Sequence, residues 1–307
     1  MSKRKHTRSE DEEWSLHPPE KLRQKPTPRA PKRSPSSINA RTRSGIPVKS
    51  KRTVKEARSA VSDEPMRIQK FLANNGVASR RAIEEWIKAG KVTVNKAKAT
   101  LGQSVSACDT IIIDGKKLYL KAFDKQETRV LLYHKPEGEL CAARSENGKP
   151  TIFESLPQIK GSKWVMVGRL DINTSGLLLL TNNGKLAHHL MHPSFALERQ
   201  YAVRVLGKVT EDILENLTSG VRIDNELFRF QSVTFGGGTG ANQWYHVTLS
   251  EGKYREVRRL WESQGCKVNR LIRTQYGPYV LPNGLRKGKY FELSSDEVAE
   301  LLSESGL

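Results

Sequence analysis

Two apolar runs bracket a short polar stretch near the middle of this chain. Residues 164–167 (WVMV) and 177–181 (LLLLT) each have the length and composition of a buried strand. Between them lies GRLDINTSG, so Asp171 sits at the mouth of a hairpin-like turn with hydrophobic layers on both sides. A carboxylate there has rigid support and an open side, which suits a nucleophile or a general base. Asp, Asn, Ser and Gly are also ordinary turn formers, and Asp171 could equally bond only its own turn.

The same reading extends to both ends. Ile68, Phe71 and Leu72 give one apolar helix face, closed by Asn75-Gly76. Ser79 is a good N-cap for a second helix, which Ile83, Trp86 and Ile87 continue to Gly90. Val92 and Val94 alternate as a strand, and 111–113 (III) before Asp114-Gly115 give another. Further on, 130–133 and 199–205 read as strands, with His134-Lys135-Pro136-Glu137-Gly138 as a turn after the first. Residues 185–191 predict a short helix stopped by Pro193, 211–217 a helix, and 244–249 a strand. Residues 253–264 predict a helix with Val257, Leu260 and Trp261 on its apolar face, and 294–297 (SSDE) cap a last one. Strands and helices mix without βαβ regularity, so the fold class is α+β, with a mixed sheet following a small helix-strand module.

Charge changes this picture more than length does. The 307 residues carry a formal charge of +19 and a pI near 9.9, which points to a polyanionic partner, nucleic acid first. No apolar run approaches the roughly 18 residues of a membrane span. The N-terminus lacks the apolar core of a secretory signal. Cys108, Cys141 and Cys266 are odd in number and lack CxxC spacing, which fits reduced thiols in a cytoplasm. Residues 1–65 hold 17 Lys or Arg against 8 Asp or Glu, with 8 of the 14 prolines, and are expected to be a disordered basic tail. A small module over 66–125 and a larger domain over 126–307 follow.

Local chemistry sharpens this. Arg80 and Arg81 fall in the first turn of the second helix, where the macrodipole favours acids. Their placement makes sense if they face a phosphate, although solvent would also accept them. His188 and His192 at i, i+4 could chelate zinc, but no third ligand or HExxH glutamate accompanies them, so no metal is expected. A glycoside hydrolase would need two acids across the scissile bond, and these motifs offer one.

The string GRLDINTSGLLLLTNNGKLAHHLMHP resembles the signature of the ribosomal pseudouridine synthases, a family with one type for small-subunit rRNA and another for large-subunit rRNA. The likeness is nearer to the large-subunit type, and it runs from residue 66 onward. It implies that Asp171 is the catalytic residue, with Arg169 beside it as support. Lys135-Pro136 matches the family's first motif. GKYREVRRL resembles its third motif, placing Arg258 as the partner of Asp171. Tyr201 matches the tyrosine that stacks on the uracil, a replacement surface for a base taken from its stack. Leu271 matches a wall residue. MRIQKFLANNGVASRRAIEEWIKAGKVTVN resembles an S4 RNA-binding domain, whose RNA face would hold Arg67, Lys70, Ser79, Arg80, Arg81, Lys88, Lys91 and Asn95.

The expectation is a cytoplasmic, monomeric enzyme that isomerises uridine in a structured stem-loop of ribosomal RNA, without a cofactor. The type it resembles points to large-subunit rRNA. Whether Asp171 attacks the sugar or acts at C2′ is left open. The alternative is a non-catalytic rRNA-binding or ribosome-assembly protein. Binding alone needs none of Asp171, Tyr201 and Arg258.

Overall fold

The computed structural model describes residues 65–106, 108–118, 127–159 and 162–307. The expected basic tail lies outside the described residues. The chain divides into two compact units, one centred on 66–118 and the other running from 127 to the end.

The first unit has β1 (Met66–Arg67), α1 (Ile68–Asn74), α2 (Arg80–Lys88), β2 (Val92–Val94), β3 (Ala97–Lys98), β4 (Ser104–Val105), β5 (Ile111–Ile113) and β6 (Lys116–Lys117). β1 pairs with β4, and the others form an antiparallel sheet in the order β3-β2-β5-β6. Ser79 caps α2 as expected, its hydroxyl accepting from the Ala82 N–H at 3.2 Å. The turn at Asp114-Gly115 has positive φ at both positions (47° and 75°), the requirement of a tight two-residue hairpin. Ile68, Phe71, Leu72, Ile83, Ile87, Val92, Val94 and Ile111 make one small core.

The second unit adds β7 (Val130–Lys135), β8 (Val165–Val167), β9 (Ser175–Thr181), α3 (Gly184–Met191), β10 (Arg199–Leu206), α4 (Glu211–Ser219), β11 (Val221–Ile223), β12 (Glu226–Phe228), β13 (Ser232–Gly237) and β14 (Asn242–Leu249). It ends with α5 (Glu256–Ser263), β15 (Lys267–Tyr276), β16 (Tyr279–Val280), β17 (Tyr290–Glu292) and α6 (Ser295–Glu304). The main sheet has the order β13-β14-β10-β15-β9-β7-β17, with β8 on β9 and β16 on β15. It is mixed, since β15 and β9 run parallel while the other neighbours are antiparallel.

The sheet is buried on both faces, which explains the unbroken leucines of β9. Leu178 and Leu180 join Leu131, Tyr133, Val203 and Val205 in one core, under Leu217 of α4 and Val257, Leu260 and Trp261 of α5. Leu177 and Leu179 join Val130, Leu132 and Ala202 in the other, under α3 and α6. Alternate residues of each strand feed opposite cores.

Gly176 is where the fold is least forgiving. It faces Arg273 across the parallel β9–β15 pair, at φ 108°. A Cβ there would lie 2.3 Å from the Arg273 carbonyl oxygen. Gly168, at φ 75°, has nothing within 4 Å of the same position. Gly176→Ala is therefore expected to lose well over 4 kcal/mol or fail to fold, whereas Gly168→Ala loses about 1–2 kcal/mol from backbone strain alone. Urea unfolding of both variants checks this, and equal losses would remove the packing argument.

Two elements differ from the sequence expectation. The helix read over 253–264 begins only at Glu256, because Arg255 adopts a left-handed conformation (φ 51°, ψ 29°). Strand β7 continues through Lys135, so His134 and Lys135 belong to a buried strand end and not to the turn.

Candidate active site

Asp171 lies on the loop between β8 and β9, which pair in antiparallel register from Val165 opposite Thr181 to Val167 opposite Leu179. The hairpin-like reading of the sequence holds. The loop emerges where one edge of β9 changes partner, from β15 at Ser175–Gly176 to β8 beyond. Asp171 is half-buried and its neighbour Arg169 is exposed.

The backbone of this loop is held from three directions. From β7, the fully buried Lys135 sends its Nζ to the carbonyls of Thr174 (2.9 Å), Asp171 (3.2 Å), Ile172 (3.4 Å) and Pro136 (2.9 Å). From the 136–141 segment, the Gly138 N–H donates to the Ile172 carbonyl at 2.8 Å, and the Leu170 N–H donates to Cys141 Sγ at 3.4 Å. From α5, Arg258 Nη2 donates to the Asn173 carbonyl at 2.8 Å. The Thr174 N–H closes the turn on the Asp171 carbonyl at 3.0 Å. Four consecutive carbonyls, 171 to 174, are thus occupied, which fixes the aspartate's Cα while leaving its carboxylate uncommitted among the described residues.

The direct pairing expected between Arg258 and Asp171 is not formed. The guanidinium is 7% exposed and spends its donors on the carbonyls of Asn173 and, at 3.0 Å, Val268. It binds the loop of the aspartate and not the carboxylate. Burial pulls the Arg258 guanidinium down from its ordinary range, Arg255 adds to this, and the charge of Asp171 pushes it back up. Arg258 thus lies within electrostatic reach of Asp171 without a direct bond to it.

Lys135 is shifted in the same sense. Burial pulls its ammonium below the usual lysine range, opposed by the charges of Cys141, Glu139, Glu137 and Asp171. Glu139 is itself anchored by the Tyr133 hydroxyl at 2.6 Å and the Ser155 hydroxyl at 3.3 Å. Cys141 is pushed up by burial. Its sulfur serves the loop as an acceptor.

Tyr201 and Leu271 lie in the core beneath the sheet. They share one core with Leu170 and Val257, the neighbours of Asp171 and Arg258. Tyr201 is 8% exposed and stands between Val247 and Arg273 in the sheet. Leu271 is buried. Pro136 follows Lys135 and gives its carbonyl to that lysine. Sequence reasoning gave no role to Glu139 or Thr174, and it placed Arg273 only within a stretch that fits the family pattern. Arg273 is buried, donates Nε–H to the Leu177 carbonyl at 2.7 Å and lies 4.9 Å over the Tyr276 ring. Its only sequence signal was its place two residues after Leu271.

In the first unit, Arg67, Arg80, Arg81, Lys88 and Lys91 are exposed, and Lys70 is half-buried. Ser79 and Asn95 have structural duties. The Ser79 hydroxyl caps α2, and Asn95 bonds Asp109 at 2.7 Å and the Thr110 N–H at 2.9 Å. Ion pairing of Lys91 with Asp114 at 3.8 Å is open to solvent and weak.

His188 and His192 stack with ring centroids 5.2 Å apart, and among the described residues no group of three or more His, Cys, Asp or Glu could hold a metal. Among the described residues, no helix is long and apolar enough to cross a membrane.

Comparison with known proteins places this geometry. Residues 129–263 match the RNA pseudouridylate synthase family, and residues 66–111 match the S4 domain. The ribosomal large subunit pseudouridine synthase B of Salmonella typhi is 51% identical over 229 residues, covering 74% of this chain and 79% of that protein. That of Haemophilus influenzae is 49% identical over 246 residues (80% and 69%). That of Pseudomonas aeruginosa is 48% identical over 242 residues, covering 78% of this chain but 63% of the relative. A crystal structure of a pseudouridylate synthase superposes with a TM-score of 0.53 at 27% identity, over 77% of this chain and 99% of that one. The chain belongs to the RNA pseudouridylate synthase family and carries an S4 domain in front of the synthase fold. The resemblance read from the sequence and the α+β class both hold.

Proposed function

We propose that this chain isomerises uridine to pseudouridine in large-subunit ribosomal RNA, with Asp171 as the reacting carboxylate. The observation that carries this reading is the loop itself: four consecutive backbone carbonyls are tied down around one free carboxylate. Turn formation alone does not call for a fully buried lysine and a buried arginine. The close relatives are named for the same activity on the large ribosomal subunit.

The reaction breaks the N1–C1′ bond, turns the uracil, joins C5 to C1′, releases the C5 proton and leaves a proton on N1. Substrate and product are isomers, so the chemistry consumes no electrons and no donated group, and calls for no cofactor. Asp171 either attacks the sugar or moves a proton at C2′; both need a fixed backbone and a charged carboxylate. Lys135 and Arg258 are positioning residues for it, and Leu271 is wall. Arg169, exposed beside Asp171, meets the RNA. Tyr201 supplies the stacking ring, and the site must open to uncover its face, since it is nearly buried here.

Residues 66–125 grip a structured stem-loop, and 126–307 carry out the isomerisation, in a monomer working in the cytoplasm. Arg80→Ala with Arg81→Ala is expected to weaken RNA binding and flatten its salt dependence by roughly 1–2 phosphate contacts. Isomerisation of bound RNA should persist. A slope equal to wild type would return both arginines to the solvent. The activity itself is tested by tritium release from C5-labelled uridine in large-subunit rRNA. No release would leave the binding-only alternative.

A further inference from the structure

The turn before α5 holds an exposed aromatic ring that the reaction above does not use. Tyr254 is 75% exposed, the most exposed large hydrophobic side chain among the described residues. The backbone beneath it is costly to build. Arg255 is left-handed without being glycine, a strain on the order of 1 kcal/mol. Glu256 is 5% exposed, and burial pushes its carboxyl up. That carboxylate folds back to accept the Lys253 N–H at 2.9 Å, while the Glu256 N–H donates to the Lys253 carbonyl at 3.3 Å. Strain and a buried acid thus lock a two-residue projection whose tip is the tyrosine. Such expense at a surface turn commonly marks function.

The projection is tied to the site. Arg258, one helical turn further on, is the residue that donates to the Asn173 carbonyl in the Asp171 loop. The cations close to Tyr254 in sequence are paired with acids: Lys253 with Glu251 at 3.1 Å, Arg255 with Glu262 at 3.3 Å and Arg259 with Asp224 at 2.5 Å. What the turn adds for a ligand is a π surface.

We propose that Tyr254 stacks on an unpaired base next to the uridine that enters the Asp171 site, a second stacking position outside the catalytic pocket. This rests on the reading that the substrate is RNA. A strand that gives up one base to an enzyme loses stacking on both sides of it, and a rim aromatic compensates for a neighbour. The contact needs the ring and not the hydroxyl.

The test is binding of a large-subunit rRNA transcript to the full-length wild type, Tyr254→Phe and Tyr254→Ala at several salt concentrations, alongside tritium release. Tyr254→Ala should bind on the order of tenfold more weakly, and Tyr254→Phe within about twofold of wild type. Their salt slopes should match that of wild type, because no counterion is released by stacking. Melting temperatures should coincide, since the ring is exposed. Wild-type affinity in Tyr254→Ala, or equal losses in Phe and Ala, would overturn the stacking. So would a loss that appears only as a changed slope. Ring-dependent binding by a wild type that releases no tritium would keep the stacking contact and remove the isomerase reading.

Discussion

Asp171→Asn folds like the wild type, binds rRNA within about twofold and forms no pseudouridine. The substitution keeps the size of the side chain and leaves untouched the carbonyls of 171–174, which carry the bonds to Lys135, Gly138 and Arg258. Stability should change by less than about 0.5 kcal/mol, the usual range for a partly exposed side chain without partners. Only the charge is lost, and neither attack on the sugar nor proton removal is open to an amide. Turnover within tenfold of wild type, about 1.4 kcal/mol in barrier, would be too small a loss for the reacting carboxylate. Single-turnover conversion of bound RNA, with unfolding measured on the same preparations, gives both halves of the comparison.

Lys135→Met is expected to act on both stability and turnover. Two opposing effects meet here. Removing a buried ammonium relieves its desolvation, yet it strips the donor from the carbonyls of Pro136, Asp171, Ile172 and Thr174. An unmade bond to a buried group costs about 1–3 kcal/mol, and four contacts are lost, so even after the relieved desolvation the net effect is destabilising by about 2 kcal/mol. Turnover should fall by on the order of a hundredfold or more, because a small displacement of the reacting carboxylate is enough. The pH dependence gives a separate sign. Burial lowers the lysine's pKa in the folded state, so in the window between that value and the ordinary 10.5 the unfolded chain binds the proton more tightly. Wild-type stability then rises with pH in that window, and the variant lacks the contribution. The stability difference between wild type and Lys135→Met should widen toward about pH 10. A difference that narrows would mean that the lysine's charge is favoured by the fold and that its role has been misjudged.

The sequence revealed the site better than it revealed its supports. The Asp171 loop was legible because two strand-like runs close tightly on it, and the α2 cap because a serine precedes an amphipathic run. Lys135 was read as a turn residue for a sound reason, since lysine next to proline is polar punctuation and full burial of lysine is rare. Only three-dimensional convergence of four carbonyls shows why it is inside. The early helix start at 253 was a composition error: GKYREVRR has helix-forming residues, but Glu256 turns back to the Lys253 N–H and Arg255 breaks the helical path. Strand β15 escaped notice because KVNRLIRTQY does not alternate, its pairing with β10 shifting register twice and its buried positions including Arg273 and Thr274. The Arg258 pairing was expected from family pattern, and the structure gives that arginine two carbonyls instead.

Pseudouridine mapping tests the central claim most directly. Large-subunit rRNA lacking the modification is incubated with the purified chain or with Asp171→Asn, and every uridine is then read for conversion. The account predicts conversion at one site or a few neighbouring uridines with wild type, and none with the variant. An unchanged map with wild type would contradict it, as would an equal map from Asp171→Asn.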